Sequence, residues 1–370
     1  MCKHNRLAWI WFFFLFSLHL HTIVESHFYG ELKQCFSFPF PNNTNMNIEN
    51  MPVVLSDDGR TLLMVNDSEV VRFVVPEGVE RIEEHAFSFC TGVKEVVLSE
   101  TVREIAEYAF SDCKSLESVL LPASLEVIGK DCFSGCSHLR MIEVAGDSPR
   151  FKSFDGVLYD QAMTVVLKYP SGKEIVLFEI PEGVTRVDFG AFESNLFLES
   201  VSLPKSVTLI DHHAFCTCKA LSTVSFDEGL VEISDFAFMG CSSLERLSLP
   251  GTIKTIGAYA FSGCSVLSEV VLPNGLASLM TNAFCHCEGL RSVRIPSTVT
   301  SMEDGVFNNC PELVDIYCEV RDPDGMEVLS LDVEDELWSR CTLHVPAGSV
   351  QLYRGHELWG RFGRIEPLGE

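Results

Sequence analysis

Positive charge is scarce in this chain. Lys and Arg number 27 against 52 Asp and Glu, a formal charge of -25 over 370 residues. A surface of that sign repels phosphate backbones and anionic headgroups, so nucleic acid is not an expected partner. Long apolar runs are scarce too. "LAWIWFFFLFSL", Leu7 to Leu18, has 12 residues, too few for an ordinary membrane span, and no run of 18 or more follows it. The C-terminal "RIEPLGE" carries no hydrophobic tail, and no Cys directly follows the apolar run. A lipid-linked C-terminus and a bacterial lipoprotein are therefore not expected. Signatures of catalysis are missing as well: no G-x-S-x-G, no H-E-x-x-H, no P-loop and no dinucleotide fingerprint. "DDGR" at Asp57 and "DPDG" at Asp322 lack the further spaced ligands of a calcium loop. An enzyme is not expected, and neither is a cofactor.

What is present at the start is a leader. Lys3 and Arg6 precede the apolar run, the order found in secretory signals, so residues 1–26 are expected to be a signal peptide. A retained signal anchor is the alternative. Residues 27–52, rich in Asn and Pro, read as a loosely ordered leader. Asn42 and Asn66 stand in Asn-x-Ser/Thr sequons and are candidate glycosylation sites in a eukaryotic secretory route.

The body of the chain repeats itself. Phe falls at Phe87, Phe110 and Phe133, then at Phe192, Phe215, Phe238, Phe261, Phe284 and Phe307, with a step of 23 inside each block. A Cys follows three residues later in every case but one, where Asn195 replaces it. Each unit has a Val-x-Leu pair whose two apolar side chains share a face, as in a short strand, and Pro then ends the strand. No single unit buries its apolar set, but stacked coils do. Equivalent strands would lie about 4.8 Å apart as a parallel sheet, with the Phe rings in one continuous column.

The pattern Leu-x-x-Val-x-Leu-Pro-x-x-Val-x-x-Ile-x-x-x-Ala-Phe-x-x-Cys resembles the 23-residue leucine-rich repeats of BspA-like surface proteins, the Treponema pallidum type. The resemblance runs from about Met51 to Leu368. It implies an α/β repeat solenoid: a curved leucine-rich-repeat stack with a parallel sheet on its concave face, one inserted β-hairpin and terminal caps. It also implies a secreted or surface location, often an adhesive role, and a concave binding sheet.

Between Phe133 and Phe192 the step is 59, and the surplus holds "GVLYD" and "TVVLKYP", two strands joined by Asp160 to Met163. A fainter copy, "VVLSDDGRTLLMV", precedes the first repeat. The expected organisation is an N-terminal β-hairpin cap over 53–70, a first repeat block over 71–144, an inserted hairpin over 145–175 and a second block over 176–318. An acidic loop with a degenerate repeat follows over 319–340, then a C-terminal cap over 341–370. Tyr353, Leu358, Trp359 and Phe362 are expected on the apolar face of a capping helix.

Fifteen cysteines invite a metal, but the period sets most of their positions, and paired zinc spacings do not recur. They read as a buried thiol column, with no metal expected. Cross-coil disulfides are the alternative in an oxidising compartment, and Cys318 with Cys341 is the candidate bridge. His212 and His213 beside Asp211 read as a solvated polar turn.

The outward positions of the strands make the better candidate binding surface. In the second block these are Ser200 and Ser202, Thr223 and Ser225, Arg246 and Ser248, Glu269, Ser292, Arg294 and Tyr317. The expected function is recognition of an unidentified protein or glycan through this sheet, with no membrane span after signal removal. A self-associating surface component is the alternative, as is a cytosolic interaction scaffold if the leader is not cleaved.

Overall fold

The computed structural model describes residues 53–66, 70–328 and 335–369. The expected signal peptide, the leader, Asn42 and part of the acidic loop lie outside the described residues.

Alternation makes each Val-x-Leu unit a strand with its Val inward. Val96, Val119, Val201, Val224, Val270 and Val293 are all buried. Strands of successive coils pair in parallel at the 23-residue offset: Glu95–Val97 with Ser118–Leu121, Ser200–Ser202 with Thr223–Ser225, Glu269–Val271 with Ser292–Ile295. The result is the leucine-rich-repeat solenoid that the period implies. Helix is confined, among the described residues, to Asp335–Arg340, Val350–Gly355 and three-residue 3-10 turns, all near the C-terminal end.

A second parallel ladder was not legible as strand. It consists of two-residue strands such as Glu104–Ile105, Val127–Ile128, Ile233 with Glu232, and Thr255–Ile256. Two residues are too few to display an alternating pattern. Between the two ladders each Pro sits at the head of a turn; the Val207 N–H, for one, donates to Pro204 O at 3.0 Å. Stacked turns form the third side. The Phe N–H donates to the carbonyl of the Ala in the next coil, from Phe238 to Ala260 and from Phe261 to Ala283, both at 2.8 Å. Each of these turns needs two left-handed residues, two before and two after the Phe. Gly263 supplies one at φ 73°, but Phe236 and Thr217 adopt the same conformation at 60° and 56°.

The expected single column of rings is in fact two. Phe87, Phe110 and Phe133 stack at 4.6 and 5.4 Å. A second column starts at Tyr169, stacked 4.9 Å from Phe192, and runs to Phe307. The insert causes the break. Val157–Asp160 pairs antiparallel with Val165–Lys168, and also with Phe151–Phe154, a third strand that the sequence reading lacked. Side chains of Val157–Asp160 alternate between two cores: Leu158 packs into the first, Val157 and Tyr159 into the second. A cavity of about 90 Å³ remains beside it, lined by Asp131, Phe133, Leu158, Leu167, Lys168 and Phe189 among others.

At the C-terminal end, Tyr353, Trp359 and Phe362 are buried, but not on one helix. The helix stops at Gly355, and the strand Arg364–Pro367 then returns to pair in parallel with Thr342–Val345. Terminal coverage is therefore a mixed helix and strand, with Trp338 packed edge-on against Phe362 at 4.7 Å.

Candidate functional site

The strand register sets the outward residues in two rows. Ser200 lies beside Thr223 and Ser202 beside Ser225. Glu269, Ser292 and Asp315 continue one row, which ends at the buried Thr342, and Val271, Arg294, Tyr317 and His344 form the other. Arg246 and Ser248 are exposed in the coil between. The ten residues singled out from the sequence are exposed or half-buried, none fully buried. In the first block the same face carries Glu95, Ser118 and Met141 in one row and Val97, Leu120 and Glu143 in the other.

Chemistry concentrates at one end of this face. The Arg294 guanidinium lies over the Tyr317 ring, 5.1 Å from its centre, and donates to Glu319 at 2.9 Å. Tyr317 stacks on His344 with centres 4.5 Å apart. The His344 Nε2 is 2.7 Å from Asp315 Oδ1. Both faces of the Tyr317 ring are thus covered, by Arg294 on one side and His344 on the other, and the surface offers ring edges bordered by a cation and two carboxylates, suited to hydrogen-bonding a polar group. His344 and Glu319 were missed by the sequence reading. They lie beyond the last regular repeat, and only the pairing of Asp315–Cys318 with Thr342–Val345 brings His344 onto the face.

The cysteines are not part of that surface. All thirteen in the described residues are buried thiols. Seven of them place Sγ on the Phe carbonyl of the preceding coil, as Cys218 does on Phe192 at 3.0 Å and Cys287 on Phe261 at 3.3 Å. Burial pushes Cys218 and Cys341 up to about 12 and Cys285 up to about 11. They are thiols at neutral pH, poor as nucleophiles. The Cys318–Cys341 bridge is not made. Register pairs Asp315 with Thr342, so the two cysteines are offset by four residues along neighbouring strands. That is about 13 Å of strand, beyond disulfide reach. Cys318 instead faces the Tyr353 hydroxyl at 3.3 Å.

Asn195 departs from the Cys pattern for a local reason. The coil before it is the insert, which presents Pro170 and Ser171 carbonyls in a different place. The Asn195 amide donates to both, at 3.3 and 3.1 Å, and its Oδ1 accepts from Phe197 and Leu198 N–H groups.

His213 is not a solvated turn residue. Its ring is half-buried and stacks on Phe236 at 4.8 Å, while His212 is exposed and bonds Asp211 at 2.6 Å. The fold brings His213 together with Glu193 and Cys216: their ligand-type atoms lie within 4.8 Å of one another. No sequence motif pointed to this group, because Glu193 belongs to a different coil from the other two.

Asn66 is exposed, and the rest of its sequon lies outside the described residues. No helix among the described residues is long and apolar enough to cross a membrane.

Comparison with known proteins gives the same architecture. The model of the BspA-type leucine-rich repeat region matches in six copies over residues 65–154 and 175–314, leaving out 155–174, the larger part of the insert. A leucine-rich cell surface protein of Faecalibacterium prausnitzii is 31% identical over 68% of this chain and 60% of its own, with a TM-score of 0.53. The chain therefore spans less than two thirds of that relative. A leucine-rich repeat protein of Eubacterium ventriosum is 21% identical over 75% of this chain and 90% of its own, at a TM-score of 0.58. One of Bacteroides ovatus is 22% identical over 86% and 80%, at 0.51. The last two speak for the fold alone. No curated protein matches. Nine repeats in register, the double ladder, the Phe and Cys rows and the family match together place this chain in the BspA-type leucine-rich repeat family.

Proposed function

We propose that the protein is a secreted or surface-displayed binding module that recognises a protein or glycan through the outward face of its Val-x-Leu sheet. No bond is made or broken in this reading. The observation that carries it is the cluster of Arg294, Tyr317, His344, Asp315 and Glu319. Exposed Arg and Tyr are frequent binding contacts, and here they are already held in place by neighbours, so little ordering entropy is lost on binding. The hydroxyl row of Ser202, Ser225 and Ser248 extends the surface away from this anchor. The surface location of the Faecalibacterium relative and the leader at Leu7 to Leu18 support export.

The test is a binding screen of the exported chain against a glycan array and a panel of extracellular matrix proteins, repeated with Arg294→Ala and Tyr317→Ala. A ligand whose affinity falls tenfold or more in both variants, with unchanged circular dichroism, supports the reading. A ligand indifferent to both substitutions would place recognition elsewhere. Concentration-dependent mass with no ligand in the panel would favour self-association instead.

A further inference from the structure

We propose that the seam between the two repeat blocks holds a zinc-class metal site formed by Glu193, His213 and Cys216, with Asp131 nearby and water completing the coordination. Glu193 is the residue after Phe192 and Cys216 the residue after Phe215, so they are stacked neighbours in one row of turns. His213 lies two before Phe215, in the adjacent row, and Asp131 holds the same position in the last coil of the first block. Between Asp131 and His213 that row contains Gly190. A Cβ there would sit 3.1 Å from Asp131 Oδ1 and 3.7 Å from Glu193 Oε2. A side chain there would crowd both carboxylates, and glycine leaves that space open. Its φ of 57° keeps the turn that the other repeats make.

The ligand-type atoms of Glu193, His213 and Cys216 are within 4.8 Å of one another. Bonds of about 2.0–2.3 Å to a tetrahedral zinc put ligand atoms about 3.5 Å apart, so closure needs side-chain movement of about an ångström. One sulfur, one imidazole nitrogen and carboxylate oxygens suit a borderline-soft divalent ion and not calcium or magnesium. The surroundings fit as well. Ser134 Oγ donates to Glu193 Oε2 at 3.2 Å, and Phe236 and Phe189 hold the His213 ring from two sides. Lys168, buried, donates to Gly190 O at 2.7 Å, so its ammonium lies close by. A divalent ion with a Cys216 thiolate would leave Asp131, Glu193 and Lys168 with no net charge among them. Such an ion would fix three side chains of the second block, one of them bonded to Ser134 of the first, at the point where the ring column is broken.

The repeats supply substitutions that keep the coil. Ser occupies the Cys216 and Glu193 position at Ser111 and Ser262, and Tyr occupies the His213 position at Tyr108 and Tyr259. The full chain, reduced and stripped with a chelator, is titrated with Zn2+ by calorimetry and with Co2+ by absorption. One equivalent should bind, with a sulfur-to-cobalt charge-transfer band. Cys216→Ser should remove that band, and Glu193→Ser and His213→Tyr should each weaken binding tenfold or more. Cys285→Ser, which removes the thiol at the same position of a coil lacking the other ligands, should change nothing. The proposal is overturned if the wild-type chain binds no stoichiometric metal. It is equally overturned if the band persists in folded Cys216→Ser, since the metal would then sit on other thiols.

Discussion

At the scale of single residues, the repeat consensus is a good guide except beside the insert. Phe238 is fully buried, with a ring on each side at 5.0 and 5.2 Å. Phe238→Ala should lower stability by roughly 3–5 kcal/mol in chemical denaturation, the usual loss for a deleted core ring. Asn195 inverts the logic. Replacing it with the consensus Cys strands the Ser171 carbonyl and two N–H groups that it now satisfies, while Pro170 O keeps its bond from Lys173 N–H. Asn195→Cys should therefore destabilise by about 1–3 kcal/mol, although it restores the pattern. The thiols make a further prediction. A disulfide-exchange reagent should label almost none of the thirteen described cysteines in the native chain and all of them after unfolding. Rapid native labelling of several would contradict the buried column.

At the scale of elements, the Val-x-Leu strand was legible because its alternation spans two inward residues and the outward ones before and between them. The second ladder was hidden by its two-residue strands, and Phe151–Phe154 by a sequence whose exposure alternates without a buried residue. The outward rows followed directly from the period. His344 and the grouping of Glu193 with His213 did not, because they depend on how a late strand and a displaced coil dock. Tyr169 belongs to this scale too. It heads the second ring column in a place where every regular repeat has Phe, and its hydroxyl is buried without a partner among the described residues. Tyr169→Phe should leave the fold unchanged and raise stability by about 1 kcal/mol, read as a higher denaturation midpoint. A loss of stability would mean that the hydroxyl is satisfied in solution.

For the whole molecule, two cores separated by one strand imply two cooperative units. Coils touch only their neighbours, so damage spreads along the stack and weakens with distance. Phe110→Ala should speed amide exchange across residues 71–144 more than across 176–318, and Phe238→Ala the reverse. Uniform acceleration in both variants would show that the strand Val157–Asp160 couples the blocks fully.

The in-register pairing at a constant offset has a genetic consequence. Lengthening or shortening the gene by one whole period within a block inserts or removes a rung, and every ring, thiol and outward residue finds an equivalent neighbour. A change one residue longer or shorter turns a strand over and puts a Val where a Ser belongs. Populations of this gene should therefore vary in length by units of 23 codons inside the blocks, while the segment around Val157–Asp160, which has no equivalent to exchange with, keeps its length.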